Sequence, residues 1–253
     1  MDRKATDYLG SLAKGLSVIE VFSLERQRLS ISDVASVTGF NRATARRCLL
    51  TLAELGYAHY DGKYFRLTPR VLRLGTACLA TMSLPNLVQP WLDTLSREIR
   101  QSASVSILDD WEIVYVARAA QQRLMSISLM AGSRLPASCT SMGRVLLATL
   151  PEAQLRKLLQ QHKPKAFTSK SITEIDELMS VIRKAGLQGF TINDQEIEMG
   201  LRSIAVPLYD SRGKIVAAMN VGVAAVQASA AELRRLYLEK LLDVQRALKP
   251  LLV

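Results

Sequence analysis

Thr38-Gly39-Phe40-Asn41-Arg42-Ala43-Thr44-Ala45-Arg46-Arg47 is the stretch whose reading decides the fold. Gly39 can take the positive φ of a tight turn, and Asn41 is placed to cap a new helix. The spacing predicts a helix over residues 42–55, ended by Gly56. Ala45, Cys48, Leu49, Leu52 and Leu55 form its inward stripe. Arg42, Thr44, Arg46, Arg47 and Thr51 lie elsewhere on its surface, so the polar side starts at the helix N-terminus and is basic. A helix that enters a major groove needs this order. Its early side chains meet base edges and its flanks meet phosphates.

Upstream, Leu16, Ile19, Val21 and Phe22 recur at helical spacing and predict a first helix over 13–24. A second short helix is expected after Ile31-Ser32, with Ser32 as its N-cap and Val34, Ala35 and Val37 as its apolar content. Downstream, two aromatic-rich runs surround Asp61-Gly62 between Tyr57 and Leu67, a hairpin signal. Helix-turn-helix followed by a hairpin is a winged helix. Lys63 and Arg66 can reach backbone phosphates from the wing. His59 is read as a support of the hairpin. Thr68-Pro69 opens a further helix through Val71, Leu72, Leu74 and Cys78.

Charge supports a polyanionic partner. The chain has 253 residues, with 33 Lys+Arg against 23 Asp+Glu and a net charge of +10. Residues 1–80 hold half of that excess, and residues 39–73 carry seven basic and two acidic side chains. Length suggests two domains: a DNA-binding one over 1–80 and a larger one over 102–253, joined by a connector helix over 81–101. Along the connector, Leu84, Val88, Trp91 and Leu95 form a stripe suited to the larger core or to a dimer interface. Cys48, Cys78 and Cys139 form no CxxC and cannot all pair within one chain, which fits a reducing cytoplasm. No apolar run follows Met1-Asp2-Arg3-Lys4, so neither signal peptide nor membrane span is expected. Two histidines offer few metal ligands.

Beyond Gln101 the pattern becomes mixed. Strands are expected over 103–108, 112–117, 124–130, 189–193, 202–208 and 215–222. Helices are expected over 141–149, 152–160, 174–185 and 228–248. Steady strand–helix alternation is missing, so the class is α+β: a mostly antiparallel sheet with helices packed against it.

The most pointed segment there is Gly132-Ser133-Arg134-Leu135-Pro136-Ala137-Ser138-Cys139-Thr140-Ser141-Met142-Gly143-Arg144. A small, polar loop runs straight into a helix whose free amides can hold an anion. Ser138, Thr140 and Ser141 add hydroxyls, and Arg134 could neutralise a carboxylate. The alternative is an ordinary capped helix. Leu129, Leu135, Met142 and Met219 could hold a ring or carbon chain, or simply be core. Cys139 beside a helix start is either a thiol sensor or a small buried residue. Asn193-Asp194-Gln195-Glu196 could line the same cavity, with no partner His or metal cluster to support hydrolysis. No Walker loop, GxGxxG, HExxH or GxSxG motif occurs.

In combination these segments resemble the IclR family of bacterial transcriptional regulators over nearly the whole chain. Lys14-Gly15-Leu16, Ile31 to Ala35, Gly39 to Arg47 and Leu52 to Tyr57 carry the N-terminal part. Gly132 to Gly143, Gly189-Phe190, Asn193 to Glu196, Gly200 to Pro207, Asp210 to Gly213 and Ala217 to Val221 carry the rest. The resemblance implies a winged helix-turn-helix that reads double-stranded operator DNA, and a GAF-like effector domain. Pro136 to Arg144 is similar to the subgroup that regulates protocatechuate and 4-hydroxybenzoate catabolism. Where the wider family often has His-Ala-Thr, this chain has Ala137-Ser138-Cys139. The subgroup implies an organic-acid effector (protocatechuate, 4-hydroxybenzoate or β-ketoadipate), with no other cofactor. It also implies a homodimer, a tetramer on DNA, and RNA polymerase as partner of an activator. Asp194, Glu196 and Gly143 join the effector-site candidates. Two other classes stay open: an enzyme with a basic anchoring domain, and an architectural DNA-binding dimer with no ligand.

Overall fold

The computed structural model describes residues 8–23, 25–75, 83–121 and 129–252. The chain divides into two compact units, residues 1–81 and 82–253. No helix among the described residues is long and apolar enough to cross a membrane.

The first unit holds helices α1 (Gly10–Glu20), α2 (Ile31–Thr38) and α3 (Arg42–Glu54), then the antiparallel hairpin of β1 (Ala58–Tyr60) and β2 (Phe65–Leu67). Val18, Val34, Ala45, Leu49, Leu52 and Phe65 make its core. Gly39 has φ 71°, and Asn41 Oδ1 accepts from the Thr44 amide at 2.8 Å. The cap of α2 is Ser30 rather than the expected Ser32. Ser30 Oγ accepts from the Asp33 amide while the Asp33 carboxylate accepts from the Ser30 amide, a capping box that Ser32 has no acid to complete. The first helix ends four residues early and buries Val18, leaving Leu16 exposed. Leu55, expected inside, is also exposed because it lies past the last turn of α3. Thr68-Pro69 opens a 3-10 turn, Pro69–Val71, that runs on as helix over residues 72–75, as expected. Cys78, expected in its continuation, lies outside the described residues.

In the second unit, α4 (Ser83–Ile99) precedes β3 (Ser102–Asp109), β4 (Glu112–Ala119) and the short β5 (Arg134–Pro136). Then come α5 (Ser141–Leu147), α6 (Glu152–Gln161), α7 (Ile175–Gln188), β6 (Thr191–Asp194), β7 (Leu201–Tyr209), β8 (Ile215–Ala224) and α8 (Ala230–Leu248). The sheet order is β5-β4-β3-β8-β7-β6, antiparallel at every step. Most of the strand expected over 124–130 lies outside the described residues, and Leu129 and Met130 are not in a strand.

Strand alternation gives the sheet two different faces. Val105, Ala117, Met219, Val221 and Val206 face a core shared with Val88, Leu92 and Leu95 of α4 and Leu233 and Leu241 of α8. The connector stripe is thus buried in its own unit, with Trp91 packed partly against the same core. On the other face Ile113, Tyr115, Ala205 and Ala218 pack with α5, α6 and α7. That face also carries small polar side chains. Ser106 Oγ, for instance, donates to Met142 Sδ of α5.

Candidate nucleic-acid interface and ligand cavity

Each unit presents one candidate site. In the first, Arg42, Arg46, Arg47, Lys63 and Arg66 are exposed, and among the described residues none forms an ion pair. Arg42 donates only to the Ser32 hydroxyl. Arg28, by contrast, is paired with Asp61 at 2.6 Å. The Tyr64 and Lys63 amides and Arg28 hold the Asp61 carboxyl down at about 2, and these bonds shape the turn that carries Lys63. Opposite the buried Ala45, Leu49 and Leu52, the helical repeat turns Ala43 and Arg47 outward, with Arg42 and Arg46 on one flank. Thr44 takes the other flank, where it and the stem side of Arg47 line a groove with Leu12 and Leu16 of α1 and with Leu9, the residue that precedes α1. The Asn41 carbonyl is occupied by its cap bond. A basic helix start with a small outward residue can approach a polyanion closely, and the wing adds two further cations.

The second site is a cavity of about 40 Å³ between the polar part of the sheet face and the start of α5. Ser102, Ser203, Asn220 and Gly222 come from the sheet, as does Leu135 of β5, Thr140 and Ser141 come from the start of α5, and Leu129 from the segment between β4 and β5. Arg118 of β4 enters the same cavity. Its guanidinium donates to Ser104 Oγ at 2.9 Å, and no carboxylate among the described residues pairs with it. Burial lowers its pKa. Tyr115 stands beside it, and desolvation pushes that phenol up to about 12, so it is neutral at neutral pH. The wall therefore presents hydroxyls, the side-chain amides of Asn193 and Asn220, and one half-buried cation whose charge is met by no anion among the described residues.

The residues expected from the loop-and-helix motif separate in space. Leu129, Leu135, Thr140 and Ser141 line the cavity together. Thr140 Oγ1 caps α5 by accepting from the Gly143 amide, so that amide is no longer open to a ligand. Ser141 Oγ meets Ser203 Oγ at 2.8 Å. Arg134 turns to the edge of the sheet, where Glu112 and Asp109 each hold it at 2.7 Å. Ser138 lines a different cavity, and Met142 is buried against Ser106. Met219 faces the opposite core, one residue out of phase with Ala218 and Asn220. Asp194 pairs with Arg202 and Lys170; burial opposes its charge, but the bonds from Arg202 and Gln195 outweigh it and lower its pKa. Glu196 is consumed by a buried bidentate pair with Arg144. Cys139 is buried too, and desolvation pushes its thiol up to about 12, which removes the thiolate a sensor needs.

Arg118, Tyr115, Ser203 and Asn220 were not among the expected site residues. The alternating serines of Ser102-Ala103-Ser104-Val105-Ser106 were the available signal, since a buried strand rarely places hydroxyls on every second position without use for them. Ala43 was passed over because alanine carries no chemistry of its own.

Residues 76–249 match the family described as bacterial transcriptional regulator IclR, C-terminal, and residues 11–62 match the IclR helix-turn-helix domain. The Pca regulon regulatory protein of Pseudomonas putida is 42% identical over 243 residues, covering 96% of this chain and 84% of that protein. The p-hydroxybenzoate hydroxylase transcriptional activator of Acinetobacter baylyi is 36% identical over 222 residues, covering 86% and 82%. A solved double mutant of the PobR transcription factor inducer-binding domain from Acinetobacter, complexed with 3-hydroxybenzoic acid, is 26% identical. It aligns with a TM-score of 0.63 over 68% of this chain and 100% of that one.

Proposed function

The chain belongs to the IclR family of bacterial transcriptional regulators, which are DNA-binding proteins and not enzymes, and on that premise we propose that it regulates aromatic-acid catabolism as an effector-responsive activator. The helix-turn-helix unit binds operator DNA, with Arg42, Arg46, Arg47, Lys63 and Arg66 on phosphates or base edges. The second unit binds an aromatic carboxylic acid. The half-buried Arg118, with a single neutral hydroxyl as side-chain partner and no carboxylate among the described residues, carries this reading. A cation held in such a wall favours an anion, and a guanidinium can meet a carboxylate with two bonds. Ser141 and Asn220 then serve the acid's oxygens, and Leu129 and Leu135 its ring.

Support for an aromatic acid comes from the pca relative, the p-hydroxybenzoate hydroxylase activator and the 3-hydroxybenzoate-bound inducer domain. The second of these also supports activation. A homodimer contacting RNA polymerase in the cytoplasm, and a tetramer on DNA, complete the proposal. At about 40 Å³ the cavity is far below the roughly 300 Å³ of common ligand sites, so its walls part when the acid enters. That parting is what gives the acid different affinities for two conformations, the condition for any regulatory effect. An architectural protein with no ligand would have no use for the unmatched charge of Arg118.

Calorimetric titration of protocatechuate, 4-hydroxybenzoate and β-ketoadipate, with wild type and Arg118→Met, tests the site. Loss of a charge-assisted pair is expected to weaken the preferred acid about 10- to 100-fold. Unchanged affinity, or a bound crystal structure with the carboxylate away from Arg118, would overturn it.

A further inference from the structure

A second cavity in the same unit has no part in that reading. It measures about 480 Å³, within the range of small-molecule sites. It opens between the β3–β4 turn, the segment after β5 and the C-terminal end of α6. Leu147, Leu158 and Leu159 form an apolar floor. Trp111 and His162 line one wall as stacked rings, with centroids 5.0 Å apart and planes 11° from parallel. Asp110 lies 3.7 Å from His162 Nε2 and steadies that ring. Lys163 and Lys165 stand at the rim, and no carboxylate is in the lining. Phe167 lies at the same mouth, about half exposed.

We propose that this cavity is a second ligand site, taking a planar aromatic carboxylate whose ring packs against Trp111 and the leucine floor and whose charge meets Lys163 and Lys165. The reasoning is complementarity of shape and charge. A preformed pair of parallel rings favours a flat partner, which an edge-on or branched chain would not match. The described lining holds two ammonium groups and no carboxylate, while Asp110 is engaged with His162 and Glu174 and Asp176 share with Lys163 a separate hollow, so the balance of charge facing this cavity selects an anion over a neutral or cationic ring. A bound ring also covers the exposed Phe167. The site is distinct from the Arg118 cavity, though the two share a wall. Leu135 and Thr140 line the first, while their neighbours Pro136 and Ser138 line the second. The proposal does not depend on what the first cavity binds.

The chain has two tryptophans, so Trp91→Phe makes Trp111 the sole tryptophan reporter in the full-length protein. Benzoate titrated into that variant at millimolar concentration should give a saturable change in Trp111 fluorescence, and benzamide, the uncharged shape analogue, should bind more weakly. Lys163→Gln/Lys165→Gln changes only exposed side chains and should raise the benzoate midpoint about fivefold. Arg118→Met should leave the Trp111 midpoint within about twofold, which separates this site from the first. The proposal is overturned if the fluorescence never saturates. It is equally overturned if the midpoint ignores both lysines, if benzamide matches benzoate, or if the signal follows Arg118.

Discussion

Arg144 and Glu196 meet through two parallel bonds of 2.6 Å, with the arginine side chain only 1% exposed. Every other polar group of the pair is matched. Arg144 Nε donates to the Ser138 carbonyl, and Glu196 accepts from Asn193 Nδ2 and the Ile172 amide. The pair fastens the loop after β6 to α5, and the bond from Arg144 to the Ser138 carbonyl extends the tie to the turn that precedes that helix. Glu196→Gln leaves a buried guanidinium without its counter-charge and is expected to cost about 3–5 kcal/mol of stability. Arg144→Met/Glu196→Leu removes both charges and should cost less than that single change. Urea denaturation of the full-length variants checks the order. If the double variant loses more than Glu196→Gln, the pair is not acting as a charge-compensated unit.

Gly143 gives a second, steric prediction. A Cβ built there would sit 2.1 Å from the Ala137 carbonyl oxygen and 2.3 Å from Ala137 Cα. Both are backbone atoms, so no side chain can swing aside. Gly143→Ala must push α5 off the Ala137–Cys139 turn and should cost about 3 kcal/mol. Gly222 lines the Arg118 cavity, but a Cβ there meets only Leu201 Cδ1 at 3.8 Å, an ordinary contact. Gly222→Ala should therefore stay within about 1 kcal/mol of wild type. Thermal unfolding of both variants reads the contrast, and equal midpoints would refute the close-packing argument.

The winged unit was readable because its signals are local. Gly39, Asn41 and Asp61-Gly62 each act on backbone within three residues, so sequence neighbours suffice. The Ser30 cap was equally readable, since Asp33 stands three residues on, but Ser32 sits closer to the apolar run and drew the assignment. The cavity was legible only in part. Thr140 and Ser141 belong to one contiguous loop and helix start. Arg118 is half-buried in a largely apolar strand, and its face is set by where a β-bulge at Val105/Ser106 leaves the register between β3 and β4. Asp194 and Glu196 read as free loop acids because Arg144, the partner of Glu196, is 52 residues away. Met219 looked like a ring contact, yet one step of strand phase sends it to the other face.

The buried thiol of Cys139 makes a chemical prediction. Desolvation raises it to about 12, and Sγ lies 3.4 Å from the Pro136 carbonyl oxygen. Only the thiolate attacks disulfides, so Cys139 should be inert to Ellman's reagent in the native protein from pH 7 to 9. Cys48 is half-buried and should react slowly under the same conditions. With Cys78→Ser as the background, one thiol is expected to titrate in native buffer and a second only in denaturant. Rapid native labelling of Cys139, located by peptide mass, would contradict the burial described for it.

The last prediction concerns how α3 meets DNA. Arg46 and Arg47 are exposed and unpaired among the described residues, yet they leave the helix in different directions. Arg46 points along the flank shared with Arg42, and Arg47 points away from the core beside Ala43. If Arg46 holds a phosphate, Arg46→Ala weakens operator and random DNA alike and reduces the salt slope by about 1. If Arg47 reaches a base edge, Arg47→Ala costs discrimination of roughly 1–3 kcal/mol between operator and random sequence. Ala43 separates these readings from simple charge loss. Ala43→Leu keeps every charge but adds bulk at the outward position, so it should weaken operator binding while leaving the unit folded. Affinities measured across a salt series on both DNAs resolve the three cases. A variant set in which only net charge predicts affinity, with Ala43→Leu silent, would mean that α3 does not enter the groove by this surface.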